Sequence, residues 1–237
     1  MGARAKPTKK GMLARLLEFR DIAPAVRHFV FEAQDPLHFT AGQFVSLNAN
    51  LRGKEITRAY SIASAANGKI FELCLNRVEG GLFSPYLFGL KQGEQISLRP
   101  PLGTFTLREP AHDSVCIATG TGIAPFRSML RTYLRPDSPQ FTLLFGVRHH
   151  SGLLYEEEFQ EAGRMFARFR LMPTITQPEA GWTGRVGRVQ AHLEEALAGR
   201  RDIDIYLCGL KPMVDDVRQK LKEMGFDRKQ IRYEKYD

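Results

Sequence analysis

Two rhythms along the chain predict a two-domain protein, an N-terminal antiparallel β-barrel followed by an α/β domain with a doubly wound parallel sheet. Up to about Arg108, short alternating runs rich in β-branched and aromatic residues are closely punctuated by Gly, Pro, Asn and Asp. Beyond a polar, proline-bearing joint from Arg108 to Asp113, strand-like runs alternate with helical ones, the pattern of a parallel sheet covered on both faces. Length agrees, since 237 residues suit two domains of about 100–130 residues each. The expected domains are residues 1–110 and 111–237.

In the first half the predicted strands are "LARLLEF", "AVRHFVFEA", "GQFVSLNA", "ITRAYSIAS", "IFELCLNRV" and "EQISLRP". A short helix is expected from Leu82 to Leu90, with Ser84 as its cap and Pro85 at the first helical position. In the second half "SVCIAT", "FTLLFGV", "FRLMPTI", "IDIYLCG" and "IRYEKY" read as strands. Helices are expected over "IAPFRSMLRTYL", "YEEEFQEAG", "VGRVQAHLEEAL" and "PMVDDVRQKLKEMG". Glycine-bearing turns after the strands place a ligand at their carboxyl ends, and the crevice between the two domains is the expected active site.

Composition narrows the function classes. With 43% hydrophobic and 25% charged residues, the chain reads as an ordinary globular protein. No apolar stretch approaches the roughly 20 residues of a membrane span. The opening "MGARAKPTKKGML" is basic and lacks the apolar core of a secretory signal; Lys6 also stands where a myristoylation signal after Gly2 needs Ser or Thr. A cytoplasmic location is therefore expected. Cys74, Cys116 and Cys208 are odd in number and scattered, which argues against a disulfide framework and against a four-thiolate iron–sulfur cluster. The six histidines are dispersed apart from His149 and His150, so no metal site is expected. The net charge of +8 fits an acidic protein partner or a plain solvated surface. Basic residues are spread along the chain without a stripe interleaved with aromatics, which disfavours nucleic acid.

Two stretches carry chemistry. "ATGTGIAPFRSML", Ala118 to Leu130, follows a buried-strand pattern and opens a helix. Gly120 and Gly122 clear side chains from the backbone, Thr119 and Thr121 offer hydroxyls, and Pro125 suits a first helical turn. Such a turn suits a phosphate at the helix N-terminus, or a tight connection with no ligand. In "TRAYSIAS", Thr57 to Ser64, strand alternation puts Arg58 and Tyr60 on one face and Ser61 on the other unless a bulge intervenes. Arg58 can grip phosphate bidentately and Tyr60 can stack, although an ordinary exposed strand reads the same way.

Taken in order, "RAYSIAS", "LCLNR", "GLFS", "PLGTF", "GTGIAPFRSML", "LLYEEEF", "YLCGLKPM" and a near-terminal "YEKY" resemble the ferredoxin–NADP reductase superfamily, from about residue 12 onward. The resemblance implies an FAD-binding barrel and an NAD(P)-binding parallel-sheet domain. It implies Arg58 at the flavin phosphates, with Ala59 beside it, Tyr60 stacked on the flavin ring, and Ser61 next to the flavin nitrogen that receives hydride. Cys74, Leu75 and Arg77 match the strand on the adenosine side of FAD, and Gly81, Leu82, Phe83 and Ser84 match the segment at its pyrophosphate. Thr119, Gly120, Thr121 and Gly122 match the nicotinamide cofactor's pyrophosphate loop. Cys208 and Gly209 match the Cys-Gly pair near the nicotinamide ring, and Glu234 and Tyr236 match the near-terminal acid and flavin-covering aromatic. Ser61, Cys208, Glu234 and Tyr236 are thus the implied catalytic group.

The chain also departs from the family pattern. Asp237 follows Tyr236, so the aromatic is not terminal, and Asn76 stands where plant-type members have Lys. Where NADP-specific relatives carry a Ser-Arg pair, this chain has Thr176 and Gln177, leaving Arg148 and Arg185 as the nearby cations for a 2′-phosphate. The implied activity is hydride transfer between NADH or NADPH and bound FAD, then single electrons to a separate acidic acceptor such as ferredoxin or flavodoxin. A free-flavin or ferric reductase, and a reductase subunit of an oxygenase-type complex, are the alternatives.

Overall fold

In the computed structural model the described residues are 11–236; the basic opening with Gly2 and Lys6, and Asp237, lie outside them. The chain divides into two compact units. The first holds the described residues up to Thr106 together with Arg127–Thr132, and the second holds Leu107–Phe126 and everything from Tyr133 on.

The first unit is built from β1 (Met12–Ala23), β2 (Val26–Ala33), β3 (Phe44–Leu51), β4 (Lys54–Ser61), β5 (Ile70–Asn76), α1 (Phe83–Phe88) and β6 (Gln95–Leu102). Its antiparallel six-stranded sheet runs β4-β3-β6-β1-β2-β5, and a bridge between Ile62 and Leu73 links the two edge strands into a barrel. Alternation explains the interior. Phe29 and Phe31, two apart on β2, point to one face and stack at 6.0 Å. Phe31 also pairs in register with Phe71 on β5, ring to ring at 5.5 Å. Leu16, Val45, Leu47, Ile62, Leu73, Leu87 and Leu98 complete this sealed core.

Helix α1 differs from its sequence reading. It is capped by Leu82 without a side-chain bond, and Ser84 lies inside the first turn. The Ser84 hydroxyl instead accepts the Val78 N–H at 2.9 Å, pinning the preceding loop. A competing local hydrogen bond has taken the residue from the capping role.

The second unit contains β7 (Ser114–Thr119), α2 (Ala124–Tyr133), β8 (Phe141–Val147), α3 (Glu156–Met165), β9 (Phe169–Ile175), β10 (Arg185–Val186), α4 (Leu193–Leu197), β11 (Asp204–Leu210), α5 (Lys211–Glu223) and β12 (Ile231–Tyr236). The middle of α2, Arg127–Thr132, counts with the first unit. All six strands are parallel in the order β10-β9-β8-β7-β11-β12. β7, β8 and β11 are buried nearly throughout, which is why they read as continuous apolar runs.

The predicted helix over "VGRVQAHLEEAL" is mostly other structure. Arg185–Val186 form β10 against Thr174–Ile175, and Gly187 turns at φ +117°, where a helix cannot run. A 3-10 turn over Val189–His192 then leads into the short α4.

Candidate active site

Chain order in the parallel sheet reverses between β7 and β11. In doubly wound sheets that switch point opens a crevice at the strands' carboxyl ends. Here those ends are Thr119–Gly120 and Cys208–Gly209, so the structure brings these two sequence-predicted segments together. Gly120 sits at φ +52° with open space where a side chain would project. A Cβ on Gly122 would run into the carbonyl of Cys208, and one on Gly209, itself at φ +152°, would meet the Thr119 hydroxyl. Glycine is therefore required for the 3-10 turn Gly120–Ile123 to lie against β11 before α2 begins. The Thr119 hydroxyl is buried and has no partner among the described residues. An orphaned donor beside an open glycine turn fits the phosphate oxygens of a nucleotide cofactor.

Cys208 pairs in register with Glu234 on β12, and Leu210 with Tyr236. Glu234 and Tyr236, two apart, therefore share the face beside Cys208. The thiol is fully buried and pushed well above its ordinary pKa, first by burial and then by the Glu234 charge, against a hydrogen bond with the Tyr236 side chain that lowers it. It is a neutral thiol, not a thiolate. Three of the four residues expected to be catalytic are thus assembled within this unit.

At the far carboxyl edge, Thr176 and Gln177 are exposed, and their N–H groups donate to the carbonyls of Val147 (3.1 Å) and Arg148 (2.8 Å). Arg148 is exposed. Arg185 donates its Nε to Glu195 Oε2 at 2.7 Å and its Nη2 to Oε1. Glu195 was not singled out from the sequence. Its proximity depends on the turn at Gly187 and the start of α4, which no local pattern announces.

In the barrel, β3 and β4 pair without a bulge from Phe44↔Ser61 to Leu51↔Lys54, so the expected alternation holds. Arg58 is exposed; its Nη1 donates to the Thr57 carbonyl at 2.8 Å, and it has no ion pair among the described residues. A free guanidinium at a barrel edge fits a phosphate group. Ala59 is exposed beside it. Tyr60 stacks on Phe83 of α1 at 6.2 Å, and burial pushes its phenol pKa up. That contact brings Tyr60 to the segment that contains Gly81, Leu82 and Ser84. Ser61 is buried at the strand end. Cys74 and Leu75 are buried on β5, whereas Arg77 beyond it is exposed, its N–H donating to Ala25 at 2.8 Å.

Sequence reasoning also missed a buried polar cluster in the first unit. Arg127, from α2, donates to the Ala63 carbonyl at 2.9 Å and to Glu72, while His28 Nε2 lies 3.7 Å from the same Glu72 oxygen. Arg127 falls in a helical run that also carries Arg131, and only its burial distinguishes it from a surface arginine.

An exposed arginine on a barrel strand and a glycine turn at a sheet's switch point are compatible with phosphate-bearing cofactors. The class, a flavin- and nicotinamide-dependent oxidoreductase, comes from the family models: residues 13–107 match the oxidoreductase FAD-binding domain and residues 116–219 the oxidoreductase NAD-binding domain. The chain is 40% identical to ferredoxin–NADP reductase B of Sorangium cellulosum, over 94% of this chain and 97% of that one. It is 32% identical to the toluate 1,2-dioxygenase electron transfer component of Pseudomonas putida, over 84% of this chain but only 59% of that one. A ferredoxin NADP+ reductase from Neisseria gonorrhoeae, solved with bound FAD and NADP, superposes with a TM-score of 0.86 at 26% identity, covering 96% of this chain and 99% of that one. The chain belongs to the ferredoxin–NADP reductase superfamily, whose members couple NAD(P)H to FAD. Among the described residues no helix is long and apolar enough to cross a membrane.

Proposed function

We propose that this reductase passes electrons from NAD(P)H to a separate, acidic electron-carrier protein of the ferredoxin or flavodoxin type. One observation carries the reading: the chain spans 97% of a ferredoxin–NADP reductase at 40% identity. Two others support it. Three scattered thiols are too few for a four-thiolate cluster, so this chain offers no iron–sulfur relay of its own. A net charge of +8 favours encounter with an acidic partner.

FAD, when bound, supplies a ring that accepts hydride as a pair and releases electrons singly. In the proposed division of labour, residues 1–110 hold FAD and residues 111–237 hold the nicotinamide cofactor. Arg58 neutralises flavin phosphates, the Tyr60–Phe83 pair offers a stacking face, and Gly81–Ser84 shape the pyrophosphate segment. Cys74, Leu75 and Arg77 flank the adenosine side. Thr119, Gly120, Thr121 and Gly122 receive the nicotinamide cofactor's pyrophosphate. Ser61 in the first unit would orient the flavin ring, and the Cys208 thiol, Glu234 and Tyr236 in the second would orient the nicotinamide; orientation is the larger part of what each adds.

The docking reading is tested by steady-state reduction of a bacterial ferredoxin across salt concentrations. KM for ferredoxin should rise steeply with salt while reduction of an uncharged quinone changes little. A salt-independent KM would contradict an acidic partner. The likeness to a dioxygenase electron transfer component favours a second reading, a reductase component of an oxygenase system. Under that reading, ferredoxin turnover would be poor and activity would require the oxygenase partner. A free-flavin reductase would instead lose its flavin on dialysis, which Arg58, exposed and without an ion pair among the described residues, argues against.

A further inference from the structure

Near the carboxyl edge of β9, the arginine that a phosphorylated ribose would need is already occupied. The glycine turn after β7 takes the middle of a dinucleotide, and Cys208, Glu234 and Tyr236 lie on its β11–β12 side. The adenosine half then falls toward β8, β9 and β10. Arg185 lies near this edge, paired in register with Thr174, two residues before Thr176. Both oxygens of Glu195 face it. The same carboxylate takes a 2.7 Å bond from Arg170 Nη2, while Arg170 Nη1 donates to the Glu195 carbonyl at 3.4 Å. One acid thereby bridges two guanidiniums, Arg185 near the carboxyl end of β9 and Arg170 near its amino end. Arg185 holds the Glu195 carboxyl down at about 2, so the acid stays charged at any working pH.

We infer that Glu195 is a specificity-determining residue: by occupying Arg185 it turns this edge against a 2′-phosphate and selects NADH over NADPH. The inference rests on the nicotinamide-cofactor reading of this unit. Arg148 remains exposed at the same edge, a single cation without the second that Glu195 withholds. A dianionic phosphate that is to bind here must compete with a bidentate carboxylate already in place.

Calorimetric titration of the FAD-loaded protein with AMP and with 2′-phospho-AMP tests this without turnover. The wild type should prefer AMP. Glu195→Gln, a shape-conserving change at an exposed position, should tighten 2′-phospho-AMP by about tenfold and leave AMP within about twofold. Adding Arg185→Ala to that variant should abolish the gain, and the NADH-to-NADPH ratio of kcat/KM should follow the same order. Equal wild-type affinity for the two nucleotides, or equal effects of Glu195→Gln on both, would overturn the inference. Flavin bleaching by NADH without binding of either nucleotide would overturn the adenosine placement, and the inference with it, but not the reductase reading. Absence of bleaching by either donor would strike the reductase reading itself.

Discussion

Cys208 on β11 and Glu234 on β12 occupy one rung of the parallel ladder, with the Tyr236 side chain hydrogen-bonded to the same thiol. A buried, neutral thiol between an acid and a phenol is suited to positioning and unsuited to attack. The three cysteines are all buried, and burial also pushes Cys116 up. Native protein should therefore resist iodoacetamide at mildly alkaline pH and label at all three thiols once unfolded. Rapid native labelling of Cys208 would contradict its protonated, sealed state.

Ser61 and Glu234 are proposed to orient the reacting rings without anchoring FAD. Replacing either by Ala should slow flavin reduction roughly 10²-fold while bound FAD per chain stays constant. The measurement is single-turnover reduction beside flavin content. An unchanged rate would refute the assignment for that residue.

Gly122 is confined by the backbone of its neighbour strand, because a Cβ there would enter the carbonyl of Cys208. Gly122→Ala should cost about 1–3 kcal/mol in thermal or urea unfolding of the nucleotide unit. It should also weaken NADH binding while leaving FAD content unchanged. Wild-type stability and affinity would show that the turn does not need this close approach.

His28 makes acid stability predictable. It is buried in the barrel, and burial is the largest cause holding its pKa down to about 4; Arg127, Arg20 and Arg131 push the same way and the Glu72 carboxylate opposes them. The unfolded chain, at the ordinary value of 6.5, binds the proton first. Stability from this group is thus complete above the unfolded value and is lost as pH falls from there to about 4, by up to roughly 3 kcal/mol. Urea unfolding of wild type and His28→Gln across this window should give a shallower acid loss in the variant. Identical slopes would exclude His28 as the cause.

Much of the fold was legible because local pattern and tertiary role coincide. Ser114–Thr119, Phe141–Val147 and Phe169–Ile175 form strands with the bounds that their apolar runs predict, and Ile231–Tyr236 forms the strand expected over "IRYEKY". The region after β9 was not legible, because Gly187 bends the chain and a two-residue strand forms only once Thr174 is beside it. Within the site, the glycines of the β7 turn announce themselves by spacing. The neutralisation of Arg185 does not, because Glu195 reaches it through folding and carries no mark in its own segment. Arg127 and Glu72 are likewise distant in sequence, and their pairing appears only in the folded barrel.

The central claim, that this chain reduces bound FAD with a nicotinamide donor, is tested most directly by anaerobic stopped-flow mixing of the FAD-loaded protein with NADH and with NADPH. The account predicts that the yellow flavin absorbance bleaches in a single turnover, faster and at lower concentration with NADH. A protein that cannot be loaded with FAD, or whose flavin stays oxidised with both donors, would contradict it.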